Sequence, residues 1–374
     1  MKRSKWLMIL VSMLAVVALL AGCGGGEEAA PAEEPAAAAT QPPAEEAAAE
    51  PTEAPAAEPA AEATEAPAEE AAAEATEAPA EEAAAKPYIP IISKGFQHQF
   101  WQAVKAGSEQ AATDFNVDIS FEGPESEAMV DKQIEMLQAA LAKNPAAICL
   151  AALDSQAVIP FLEEAQSKGI PIIGFDSGVD SDIPVATAAT DNIAAAALAA
   201  DKMAELIGDE GQVAVLVHDQ TSRTGIDRRD GFLNRMAEAH PNIEIVNVDY
   251  GAGDHLKSTD LAKAVIQANP DIKGYFGANE GSIIGVLNAV TELGREGQIV
   301  VIGYDAGKQQ LDAIRSGVQA GAITQNPVGI GYKCVEAAVK AINGEAVDKI
   351  IDTGFFWYDA STIDSDEIKA LLYE

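Results

Sequence analysis

Ile299-Val300-Val301-Ile302-Gly303-Tyr304-Asp305 sets four branched aliphatic residues in a row and ends on a polar one. A strand with one face in water alternates apolar and polar residues. A strand covered by helices on both faces is apolar throughout. Ile170-Pro171-Ile172-Ile173-Gly174-Phe175-Asp176 repeats the arrangement, and Val213-Ala214-Val215-Leu216-Val217 is a third continuous run. On either side the chain reads the same way. Strands are expected at residues 88–93, 117–121, 146–151, 171–175, 212–217, 243–248, 274–277, 299–303 and 321–324. Amphipathic helices are expected between them, at 100–115, 128–142, 193–207, 225–239, 258–268, 282–293 and 329–342. Alternation of this kind builds βαβ units around parallel sheets. Nine such units are too many for one small sheet, and a break falls near Thr190-Asp191. The fold class expected is α/β, with two Rossmann-like lobes.

The rest of the chain is of another kind. Lys2-Arg3-Ser4-Lys5, an apolar run from Trp6 to Ala21, and Gly22-Cys23 have the order of a secretory signal peptide over residues 1–22. Leu20-Ala21-Gly22-Cys23 resembles a bacterial lipobox, which implies lipidation of Cys23 and a membrane anchor. Residues 23–86 follow as an Ala/Glu/Pro-rich tether, with Glu-Ala-Thr-Glu-Ala-Pro-Ala-Glu-Glu-Ala-Ala-Ala starting at Glu62 and again at Glu74. Such a composition buries too little apolar surface to offset its ordering entropy. The expected location is the cell envelope, outside the cytoplasm.

The formal net charge is −35, and seventeen of the acidic residues lie in residues 24–86. So negative a chain repels phosphate backbones, which argues against nucleic acid as a partner. No metal-ligand spacing joins the four His and three Cys, and neither metal nor cofactor is expected. Cys149 lies in an apolar run and Cys334 on a helix. Export permits a disulfide between them, but two buried free thiols are the expectation.

In open α/β sheets ligands bind beyond the carboxyl ends of the strands. The polar residues found there are His98, Asp176, Asn279, Asp305 and Gln325. Carboxylates, amides and an imidazole suit a hydroxyl-rich ligand, which both donates and accepts hydrogen bonds.

These residues and their surroundings resemble the ribose-binding-protein family of periplasmic solute receptors. The markers are residues 170–176 quoted above, Arg228-Arg229-Asp230-Gly231-Phe232, Gly277-Ala278-Asn279-Glu280, Ile302-Gly303-Tyr304-Asp305 and Ala322-Ile323-Thr324-Gln325-Asn326-Pro327. The resemblance implies a type I periplasmic binding protein fold with a three-strand hinge. It puts residues 87–190 with 326–354 in lobe 1 and 191–325 with 355–374 in lobe 2. It also implies that Phe100 and Trp101 stack on a sugar ring, and that His98, Asp176, Arg228, Asn279, Asp305 and Gln325 bond its hydroxyls. Ser177 stands where the family often has Arg. A second-lobe aromatic falls near Gly253, leaving Tyr304 and Trp357 as substitute rings. Glu280 reads as pairing with the dipole of its own helix. The function implied is capture of a monosaccharide, by a monomer that closes about its hinge and delivers the sugar to an ABC permease and its ATPase. A receptor presenting sugar to a membrane kinase or chemoreceptor is the alternative.

An enzyme on the same scaffold is disfavoured. Ser93-Lys94-Gly95-Phe96-Gln97-His98 is no dinucleotide turn, and no Gly-x-x-x-x-Gly-Lys-Ser/Thr occurs. Asp176 and Asp305 could serve glycoside hydrolysis, but binding proteins use the same carboxylates without chemistry.

Overall fold

The computed structural model describes residues 85–373. The signal peptide, Cys23 and nearly all of the tether lie outside the described residues. Five strands come first: β1 (Tyr88–Ile92), β2 (Asp118–Glu122), β3 (Ile148–Leu150), β4 (Ile172–Phe175) and β5 (Ala186–Ala189). Between the first four run α1 (Gln99–Asp114), α2 (Val130–Ala142) and α3 (Ile159–Ser167). The next half repeats the winding. It runs α4 (Asn192–Ile207), β6 (Gly211–Val217), α5 (Arg223–Ala239), β7 (Ile243–Tyr250), α6 (His255–Ala268), β8 (Ile272–Gly277), α7 (Glu280–Glu292), β9 (Val300–Tyr304), α8 (Lys308–Ser316) and β10 (Gly321–Gln325). The chain closes with α9 (Pro327–Ile342), β11 (Ile350–Asp352), β12 (Phe355–Asp359) and α10 (Asp366–Lys369).

Two sheets result, ordered β11-β5-β4-β3-β1-β2 and β12-β10-β9-β8-β6-β7. Every pairing is parallel except β12 on β10. Right-handed βαβ winding in both directions from the first strand gives this order. Helices cover both faces of each sheet, so Val213 through Val217, together with Val301 and Ile302, are wholly buried. The chain passes from one sheet to the other three times: between Ala189 and Asn192, between Gln325 and Pro327, and between Asp352 and Phe355.

All nine expected strands form, with ends shifted by up to two residues, and so do the seven expected helices, shifted by up to three. β5, β11 and β12 lie outside the expected set. Ala186-Thr187-Ala188-Ala189 has little strand propensity of its own. It is held by tertiary packing: a Cβ on Gly174 of β4 would stand 2.8 Å from Thr187 Oγ1, so only glycine allows so close an approach.

The expectation of two free thiols is corrected. Cys149 on β3 and Cys334 on α9 form a disulfide, with Cα atoms 6.4 Å apart across 185 residues of sequence. α9 lies against α1 and the first sheet, although the second sheet precedes it in the chain. That return brings the two sulfurs together, and no local pattern announces it.

Candidate functional site

The carboxyl ends of both sheets face one another, and the sequence-predicted residues meet there. His98, Phe100, Trp101 and Asp176 come from the first half, and Arg228, Asn279, Asp305 and Gln325 from the second. All eight line one cavity, joined by Lys94, Glu127, His218 and Thr224. The cavity is small, with a volume of only about 20 Å³. The halves are therefore shut tightly. A roomier hollow, about 370 Å³, opens beside it on the crossover side and shares Asp176. Fewer buried polar groups converge on that hollow, so the smaller cavity is the better candidate site.

Asp176 and Asp305 stand just beyond β4 and β9 with positive φ, 54° and 79°. Asp tolerates this left-handed turn better than most residues. Asp305 is braced: Oδ1 accepts from Gln325 Nε2 at 2.7 Å and Oδ2 from the Glu280 backbone N–H at 2.9 Å. Gln325 in turn accepts from the Thr190 hydroxyl at 2.9 Å, tying the site to two of the crossovers. The Asp176 carboxylate has no such partner among the described side chains. Burial pushes it up to about 6, against the pull of Lys94 and Arg228.

Arg228 on α5 is 3% exposed. Its Nε donates to Asn192 Oδ1 at 2.7 Å, its Nη1 to the Ala278 carbonyl at 3.0 Å, and its guanidinium lies 3.8 Å over the Tyr304 ring. Burial opposes its charge, but Tyr304, Asp305 and Asp176 more than offset that. Arg229 points elsewhere, to Asp230 and Tyr250. Asn279 caps α7 through Oδ1, accepting from Ser282 N–H at 2.8 Å, and still lines the cavity. It is both cap and wall.

Phe100 and Trp101 pack edge to face, 5.0 Å between centroids, and belong to the core as well as the cavity wall. Trp101 Nε1 donates to Glu127 Oε1 at 2.9 Å. His98 is occupied: Nδ1 lies 3.3 Å from Glu127 Oε1, and Nε2 lies 3.0 Å from the Gly253 carbonyl. Despite burial, Glu127 and Glu280 raise it to about 9, so both ring nitrogens carry protons. His98 thus bridges the halves, and no ring nitrogen is left over for a hydroxyl.

Neither Tyr304 nor Trp357 supplies the missing ring. Tyr304 lies under Arg228, and Trp357 bonds Asp359 away from the cavity. Gly253 itself has φ +65°, and a Cβ there would stand 3.2 Å from both Glu127 Oε2 and His98 Cε1. The His98–Glu127 pair fills the space an aromatic would need.

Glu280 also differs from its reading in the sequence. Its Oε1 and Oε2 accept from the backbone N–H groups of Gln99 and Phe100, both at 3.1 Å. It caps α1 of the opposite half, not only its own helix. α1 has no side-chain cap and no acid in its first turn. Other bonds close the same gap: Lys94 Nζ to Thr224 Oγ1 at 3.0 Å, Ser155 N–H to the Thr221 carbonyl at 3.0 Å, and Lys308 N–H to Gln99 Oε1 at 2.7 Å.

Lys94, Glu127 and His218 are absent from the sequence-predicted set. Lys94 and His218 follow β1 and β6 almost directly, so the strand-end rule reaches them when applied to every strand. Glu127 sits in an irregular loop five residues past β2, where no period points inward.

Residues 89–346 match the family model described as periplasmic binding protein domain. The D-allose-binding periplasmic protein of Escherichia coli (strain K12) is 28% identical over 259 residues, 67% of this chain and 83% of that protein. A solved ABC transporter solute binding protein from Agrobacterium vitis, with bound D-fucose, is 32% identical at TM-score 0.75 and covers 76% of this chain and all of that one. A carbohydrate transporter solute binding protein from Agrobacterium radiobacter, in complex with D-arabinose, is likewise 32% identical at TM-score 0.75, covering 77% and 99%.

Proposed function

The chain belongs to the periplasmic binding protein family, and from that premise we propose that it captures a monosaccharide outside the cytoplasm and delivers it to an ABC-type importer. One observation carries the reading. Carboxylates, a guanidinium, amides and two aromatic rings from both halves line one buried cavity, and the Asp176 carboxylate there has no hydrogen-bond partner among the described residues. Such a set fits a neutral polyol, whose hydroxyls supply donors and whose C–H faces pack on rings.

The mechanism is hinge closure. Residues 87–190 with 326–354 move as lobe 1 and residues 191–325 with 355–374 as lobe 2, turning about the three crossovers. A sugar touching both lobes favours the closed form. In this reading Asp176, Asp305, Asn279, Gln325 and Arg228 hold hydroxyls, Phe100 and Trp101 flank the ring, and His98 helps hold the lobes together. The chain works as a monomer, anchored through a lipid on Cys23.

Calorimetry and small-angle scattering with D-ribose, D-allose, D-arabinose and D-fucose test the proposal. At least one sugar should bind and compact the chain. Asp305→Ala should then weaken binding by about 2–4 kcal/mol, since buried donors lose a charged acceptor. No binding and no compaction with any of the four would refute the reading. For the anchor, Cys23→Ser should leave the protein out of the membrane fraction; unchanged fractionation would remove that part.

A further inference from the structure

Two side-chain atoms of residues that line the cavity, Glu127 Oε2 and His218 Nδ1, are fully buried and have no hydrogen-bond partner among the described residues. They come from opposite halves, and both residues line the same small space. What each can do follows from its other bonds.

Glu127 Oε1 is taken by Trp101 Nε1 and His98 Nδ1. Burial works against its charge, but Lys94 and His98 hold it well below the usual carboxylate range, so Oε2 is a pure acceptor. His218 requires a longer count. Ser222 Oγ donates to Asp219 Oδ2 at 2.8 Å and accepts from Lys94 Nζ at 3.3 Å and from Gly225 N–H at 3.1 Å. Both its lone pairs are then used. The Thr224 hydroxyl accepts from Lys94 at 3.0 Å, so its own proton goes to the remaining neighbour, His218 Nε2, at 3.1 Å. Burial and the nearby Lys94 keep the imidazole neutral, pushed down to about 3. A neutral ring that accepts at Nε2 carries its proton on Nδ1. The orphaned pair is therefore one donor and one acceptor.

We propose that Glu127 and His218 clasp a single hydroxyl of the ligand, which donates to Glu127 Oε2 and accepts from His218 Nδ1. This rests on the sugar-binding reading above and narrows it. A carboxylate has no proton for Glu127, an ammonium cannot accept from His218, and a methyl group does neither. The pair selects a neutral polyol and rejects its analogue lacking that one hydroxyl, because both buried groups would stay unmet.

The test takes whichever of the four sugars binds the full-length chain, and measures its monodeoxy derivatives by calorimetry. In the unaltered protein one position should cost at least about a hundredfold in affinity. In Glu127→Gln and in His218→Asn the penalty at that position should shrink below about tenfold, while the penalties at other positions persist. If no deoxy position in the unaltered chain costs more than tenfold, the clasp is refuted without any variant. It is equally refuted if the variants lower affinity for every derivative by one common factor, the signature of a structural role. Failure of all four parent sugars to bind overturns the sugar-binding reading itself, and the clasp with it.

Discussion

Removing the Glu280 carboxylate should act on closure and spare the fold. In the shut form it meets two backbone N–H groups at the start of α1, each at 3.1 Å, and is 3% exposed. When the halves part, those groups and the carboxylate return to water. Glu280→Ala leaves the two N–H groups unmet only in the closed form, at about 1–3 kcal/mol for the buried Phe100 group and less for the half-buried Gln99 group. Burial pushes the Glu280 carboxyl up, so the variant also sheds the work of burying a charge. That offsets part of the loss and favours the low end, about 2 kcal/mol in all. Sugar is held only in the closed form, so the loss appears in the apparent affinity as roughly a thirtyfold weakening. Titration calorimetry reads it directly. Scattering at partial saturation should show a more open population, and the sugar-free melting temperature should change little. Unchanged affinity would refute the reasoning. So would a sugar-free chain destabilised as much as binding is weakened, because Glu280 would then support the fold rather than the closure.

Reducing the Cys149–Cys334 disulfide, or Cys334→Ala, frees a loop of 185 residues; chain entropy puts this at roughly 5 kcal/mol at most, or about 10 °C in melting temperature. Equal melting with and without reductant would contradict the bond. Asp176 is a carboxyl whose folded value, about 6, lies above its ordinary 3.8. The stability it costs is absent below that ordinary value, grows between the two and is full above the higher one, at most about 3 kcal/mol. Asp176→Asn should therefore raise the melting temperature of the sugar-free chain at pH 7.5 and lose that gain at pH 4; a gain independent of pH would show the carboxylate is not buried without a partner. Arg228→Lys should weaken sugar binding by at least tenfold, since an ammonium cannot both fork to Asn192 and Ala278 and cover the Tyr304 ring as the guanidinium does. Equal affinity in calorimetry would show that the guanidinium only balances charge.

The layered fold is legible in the sequence because it is written locally. Runs such as residues 299–302 are apolar without interruption, which only a strand covered on both faces requires. Helix periods between them then dictate parallel winding, and the strand ends name the polar residues that can meet. All eight residues of the sequence-predicted set line the cavity. What they do to one another is not written locally. His98 reads as a free partner for a hydroxyl, but Glu127 and Gly253, far off in sequence, occupy both its nitrogens. Glu280 reads as an ornament of its own helix, yet it completes α1 across the gap. The ring sought near Gly253 has no room, because a buried ion pair fills the place. The sulfurs of Cys149 and Cys334 meet only because α9 returns to the first sheet after the second is built. Periodicity and composition specify which face of an element is buried, since that depends on neighbours three or four residues away. Hydrogen-bond partners and disulfides depend on which strand ends face each other in space, and that is decided only when both halves are folded and closed.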